Sequence, residues 1–126
     1  MAVVPEPVLE MKLEREKERI LRDIATYYED GNLNRFISLF NENERDGKVS
    51  RDYQKLFAVS EARNIELSQF KWQKEASSLR GIGKYKTEIW IPRIQAPIIS
   101  EGVVTLDLID KNGQLFIVAF DHEAEQ

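Results

Sequence analysis

The segment Asn64-Ile65-Glu66-Leu67-Ser68-Gln69-Phe70-Lys71-Trp72-Gln73-Lys74 decides the fold. Apolar and polar residues alternate through Ile65 and Leu67, then again through Phe70 and Trp72, but the second half is one residue out of phase with the first. Alternation marks a strand with one buried face. A slip near Ser68 or Gln69 predicts a β-bulge, and bulges bend sheets. A long strand follows from Leu79 to Ile91, with Tyr85, Thr87, Ile89 and Ile91 on one face and Lys84, Lys86, Glu88 and Trp90 on the other. Gly81 and Gly83 near its start suit curvature or a close backbone approach. Pro92 and Pro97 bracket a bent connection to a strand over Glu101 to Ile109; Asp110-Lys111-Asn112-Gly113 then makes a tight turn into a last strand, Leu115 to Asp121. The region from Asn64 to His122 thus reads as one bent antiparallel sheet.

Everything before it reads as helical cover. From about Pro7, Leu13, Ile20, Ile24 and Tyr27 fall on one stripe, with Leu21 and Tyr28 one position around, and the charged residues between Glu14 and Asp23 form the solvated face. Gly31 ends this helix as a left-handed C′ residue, and Asn32 can cap a second helix carrying Leu33, Phe36, Ile37 and Phe40. Asn41 to Gly47 is a polar loop. Ser50 is the expected cap of a third helix over Arg51 to Val59, whose Tyr53, Leu56 and Phe57 share a face. The expected class is α+β, three N-terminal helices packed on a strongly curved antiparallel sheet. Residues 1–12 are expected to form a linker or N-terminal extension, with the domain over 13–126.

Composition narrows the function. The 126 residues are 42% hydrophobic and 32% charged, with a formal net charge of -4. This balance fits a folded soluble domain and offers no electrostatic attraction to nucleic acid. With no cysteine and one histidine, a disulfide frame, a thiolate nucleophile and a cysteine metal site are excluded. No apolar run of about 18 residues reads as a membrane span. The Pro-containing start, Ala2 to Pro7, resembles a linker, so the chain is read as a module of a larger protein, with its compartment set by flanking sequence, or cytoplasmic if this is the whole chain. A linker-tethered domain spaced from a neighbour by its charged first helix is a further reading.

The helix, corner and short helix over Ile24-Ala25-Thr26-Tyr27-Tyr28-Glu29-Asp30-Gly31-Asn32-Leu33-Asn34-Arg35-Phe36-Ile37-Ser38-Leu39-Phe40, with the closing Val104 to Leu108 and Gly113 to Val118 strands, resemble the nuclear transport factor 2-like (NTF2-like) superfamily, in particular its SnoaL-like and ketosteroid isomerase-like branch. The resemblance implies a cone with a pocket between the helices and the concave sheet. It also implies positions for isomerase-type chemistry. The oxyanion-binding tyrosine would fall at Ile24, and the base would come from a strand where this chain has the Asn41 to Gly47 loop, leaving Asp46 with no apolar strand to aim it inward. Only the carboxylic acid position, Asp107, is filled. Its alternation with Leu106 and Leu108 leaves it facing the cone or, as favoured here, outward toward the strand bearing Lys84 and Lys86.

The resulting expectation is a non-catalytic domain for assembly or small-ligand binding, without cofactor or metal. The alternative is a SnoaL-like acid–base enzyme of the isomerase, dehydratase or cyclase type, acting on a small apolar substrate with Asp107 and a pocket tyrosine. Pocket candidates are Tyr28, Tyr53, Trp72, Tyr85, Asp107 and Phe120. His122, beside Asp121 and Glu123 near the chain end, reads as a surface residue. The Asp110 to Gly113 turn does not have calcium-loop spacing, because a loop glycine at Gly113 would put Leu108 at the first ligand position. The superfamily commonly dimerises through the outer sheet face, so Trp90, Ile91, Ile94, Ile98 and Ile99 make a homodimer the expected assembly.

Overall fold

The computed structural model describes the backbone of residues 6–124 and the side chains of residues 11–122. Helix α1 runs from Glu6 to Asp30, so helix begins inside the segment expected to be linker; residues 1–5 lie outside the described residues. Helix α2 spans Leu33–Ser38 and α3 Lys48–Val59, with a single 3-10 turn over Glu42–Glu44 between them. Four strands follow, β1 (Ala62–Glu75), β2 (Ser78–Trp90), β3 (Ile98–Lys111) and β4 (Gln114–Ala124). They pair as an antiparallel meander in sequence order.

Two bulges shape the sheet. In β1 the register shifts between Ser68 and Lys71, with Gln69 at φ 56°, where the phase slip predicts it. Phe70 and Trp72 are thereby turned onto the concave face, their rings stacked 5.3 Å apart. They lie over Gly83 and Gly81, where any side chain would collide with them. The second bulge is in β4: Leu108 pairs with Ile117 and Asp107 with Ala119, leaving Val118 extra.

Helix α1 lies across the concave face and buries Ile20, Ile24 and Tyr28 against Ile65, Leu79, Leu106, Leu108 and Ile117. Gly31 (φ 67°) ends it, and the Asn32 side chain caps α2 by accepting the Arg35 amide at 3.2 Å. Phe36 is the hub between helices, its ring 4.5 Å from Tyr53, 5.7 Å from Phe57 and Phe40, and 6.3 Å from Tyr28. The chain leaving α2 then docks on β4: Asn41 donates to the Ile117 carbonyl at 2.7 Å, and the Ile117 amide donates to Leu39 at 2.8 Å. An isolated bridge between Phe40 and Ile117, at the junction of the second helix and the polar loop, therefore closes the cone.

Helix α3 begins earlier than expected. Its cap is Gly47 (φ 89°) with no side-chain hydrogen bond, and Ser50 lies inside the helix. β3 likewise begins at Ile98 rather than Glu101. On the convex face Ile82, Trp90, Ile99 and Val103 are exposed.

Candidate active site

Helix α3 presents Val49, Tyr53 and Leu56 at helical spacing toward β4, and between the two elements lies a cavity of about 480 Å³. Phe120, Asp121 and His122 form its other wall, and Lys48 and Asp52 stand on its rim. The volume falls in the range of small-molecule sites, roughly 300–1,000 Å³. A smaller cleft of about 220 Å³ lies between α1 and the two hairpin turns. Its Glu16 is committed to structure, accepting from Arg19 and from the Leu115 amide.

The inward aim of His122 is a consequence of register. Residues directly opposite each other in an antiparallel pair share a face, and beyond the Val118 bulge Phe120 pairs with Leu106 and His122 with Val104. Leu106 and Val104 are fully buried. His122 is thus on the concave side, its ring 4.7 Å from Tyr85 and 5.8 Å from Phe120, with its other side exposed. Burial against these rings lowers its pKa below the ordinary histidine value, while the Asp121 charge opposes the shift. At neutral pH the imidazole is uncharged and able to accept a proton.

Opposite it, burial pushes the Tyr53 hydroxyl well above the usual tyrosine value, helped by the charges of Tyr28, Asp52 and Asp121. Tyr28 is pushed up to about 12 by burial, with Arg63 opposing and Tyr85 adding. These phenols stay protonated and are electrostatically coupled to one another. Neither the Tyr28 nor the Tyr53 hydroxyl has a hydrogen-bond partner among the described residues, whereas Tyr85 shares one with Ser100 at 2.9 Å. Arg63 frames the inner end. Its Nε donates to the Tyr28 carbonyl at 3.0 Å and Nη1 to the Ser60 hydroxyl at 2.7 Å, with its guanidinium over Phe57.

Of the expected pocket residues, the structure puts Tyr53 and Phe120 on the cavity wall, Tyr85 behind His122, and Tyr28 in the adjoining core. Trp72 is elsewhere, packed on Gly81 beneath Lys17 at 5.4 Å. Asp107 is on the outer face. It points toward β2, the strand bearing Lys84 and Lys86, as expected, and its partner there is Arg80, whose Nε lies 2.7 Å from its carboxylate. His122 is exposed, as the surface reading expects, and its ring also lines the cavity wall beside Phe120. Among the described residues no three histidine or acidic side chains gather as a metal site.

No protein-family model matches the sequence, and no curated protein matches it either. Solved structures do. A protein from Novosphingobium aromaticivorans provisionally named a scytalone dehydratase superposes with a TM-score of 0.80 at 13% identity, covering 95% of this chain and 89% of that one. The hexachlorocyclohexane dehydrochlorinase LinA-type3 from Novosphingobium barchaimii gives 0.76 at 10% identity, over 96% and 92%. A provisionally named NTF2-like dehydratase from Streptomyces avermitilis gives 0.73 at 11% identity, over 89% and 95%. These neighbours overturn the expectation of a non-catalytic domain. Structures matching nearly the whole chain are named as enzymes, so losing the isomerase-type positions at Ile24 and the Asn41 to Gly47 loop does not argue against catalysis. Identities this low establish architecture, and that architecture is the NTF2-like fold.

Proposed function

We propose that the protein is an acid–base enzyme of the isomerase or dehydratase type, with His122 as base and Tyr53 as acid, acting on a small ring-containing ketone. The observation that carries this reading is the uncharged imidazole facing the same cavity as an unpartnered, protonated phenol. In such a site His122 takes a proton from the carbon next to the carbonyl. The electron pair moves into a carbon–carbon double bond, and the enolate oxygen accepts a hydrogen bond from Tyr53. With a β,γ-unsaturated ketone the intermediate is a dienolate, and the imidazolium returns the proton to its γ carbon, giving the conjugated isomer. With a β-hydroxy ketone the imidazolium protonates the β-hydroxyl, which leaves as water as the enolate collapses to the conjugated ketone. The names of the structural neighbours support the elimination branch. Tyr85 supports the base by packing against its ring.

The test is deuterium exchange at the activated carbons of 2-tetralone in D2O, followed by proton NMR at neutral pH. The wild type should accelerate exchange, and His122→Gln should remove that acceleration, a loss on the order of 10²-fold or more for a general base. Exchange by H122Q at the wild-type rate would refute the assignment.

A further inference from the structure

We infer that the cleft between α1 and the two hairpin turns is a second ligand site, which takes a short unbranched carboxylate with its chain in the cleft and its head between Lys12 and Lys74. This site shares no lining residue with the cavity between α3 and β4 and is independent of the chemistry proposed there.

The floor of the cleft is apolar. Leu79 and Leu115 are buried there, and Leu13 from α1 and Ala76 from the first hairpin complete the wall. At about 220 Å³ the cleft is smaller than the roughly 300–1,000 Å³ of drug-sized ligands, so it suits a single chain and not a ring system. The charges at its rim follow from register. Lys74 is directly opposite Leu79 and Asp110 opposite Leu115, and residues so paired share a face, which puts both side chains on the side of the cleft. Glu75 alternates to the outer face, where its charge acts on Arg80. On α1, Lys12 and Glu16 stand one turn apart and both line the cleft. Glu16 is neutralised by Arg19, paired with it at 2.8 Å, and also accepts the Leu115 amide. Glu14 on the same helix is paired with Lys17. Asp110 accepts the Gly113 amide at 2.9 Å and keeps its charge. Lys12 and Lys74 form no ion pair among the described residues, so two cations stand against the one carboxylate of Asp110 and the rim is positive. The Ser77 hydroxyl, on the same rim and without a partner among the described residues, adds a donor. A run of methylenes ending in a carboxylate matches an apolar cleft with a cationic rim.

The experiment titrates butanoate, hexanoate, octanoate and decanoate into isotope-labelled protein at low salt and follows the backbone amides by NMR. Affinity should rise about fourfold for each methylene buried and level off once the cleft is full. The largest shifts should fall on Ser77, Ser78, Gly113 and Leu115. K12Q/K74Q should bind octanoate roughly fivefold more weakly and octanol as the wild type does, and added salt should weaken octanoate binding to the wild type alone. Both lysines are exposed, and circular dichroism checks that the variant is folded. Absence of binding at every chain length, or an octanoate affinity unchanged in K12Q/K74Q, would overturn the inference. So would largest shifts at Phe120 to His122, which would place the carboxylate in the other cavity.

Discussion

The cone depends on two glycines whose missing side chains let aromatic rings lie on the sheet, and exchanging them for alanine tests that dependence quantitatively. A Cβ at position 81 would sit 2.5 Å from the Trp72 ring, and one at 83 would sit 2.7 Å from the Ser68 carbonyl oxygen and 2.9 Å from Phe70. The two obstacles differ in kind. Trp72 is a half-buried side chain stacked on Phe70 and can tilt, whereas the Ser68 carbonyl is backbone held at the β1 bulge. Overpacking costs roughly 1–3 kcal/mol, and alanine recovers about 0.4–1 kcal/mol by restricting the unfolded chain. Gly81→Ala should then lose about 1 kcal/mol and Gly83→Ala about 2 kcal/mol or more, the latter lowering the midpoint by roughly 8 °C at about 4 °C per kcal/mol. Urea denaturation and calorimetry read both values. A G83A variant as stable as the wild type, or less affected than G81A, would mean that the close approach at the bulge does not hold the sheet's curvature.

Arg63→Met should destabilise by about 2–4 kcal/mol in urea melts, because the guanidinium joins the ends of α1 and α3 to β1 through charge-assisted hydrogen bonds. Glu16 carries part of the acid stability. Burial alone would raise its pKa, but hydrogen bonds from Arg19 and the Leu115 amide, with the Arg19 charge, outweigh burial and hold it below 4.5. Its contribution is therefore present above the unfolded value and lost as pH falls through the folded one, so Glu16→Gln should flatten the stability–pH curve below about pH 4.5. For His122 the folded pKa is depressed, so the free base persists below 6.5. Deuterium exchange should accordingly lose activity on acidification with an apparent pKa under 6.5; a midpoint above that value would mean that the base is another group. Asp107→Asn, which removes an outer-face pair with Arg80, should leave exchange unchanged.

What the sequence disclosed and what it concealed follow from one physical difference between the two bulges. In β1 the slip falls between Leu67 and Phe70 in a segment whose other face is polar, so the change of phase is visible as a break in alternation. In β4 the extra residue falls inside Leu115-Phe116-Ile117-Val118-Ala119-Phe120, apolar at every position, and an apolar run carries no phase. The face that His122 takes is therefore not legible from the alternation of β4. The corner was legible because Gly31 and Asn32 have specific backbone duties, a left-handed C′ and a side-chain cap. The start of α3 was not, because Ser50 offers a cap chemically while the chain turns earlier, at Gly47, in a conformation that glycine adopts freely.

The same concealed bulge explains why the site lies where it does. Up to Ile117, β4 is flanked on its outer edge by Leu39 to Asn41, which bond to the Ile117 amide and carbonyl and seal the cone with packed Phe36 and Phe40. The chain then turns away through the Glu42–Glu44 turn, and α3 returns with side chains and no backbone pairing toward the second half of β4. Below the bulge the space is filled by core; above it, α3 stands off the strand and leaves the cavity. Val118 marks this boundary. By adding one residue there, the strand turns Phe120 and His122 inward at the height where the helix has left room, so the register of β4 and the opening of the cone together place the histidine opposite Tyr53.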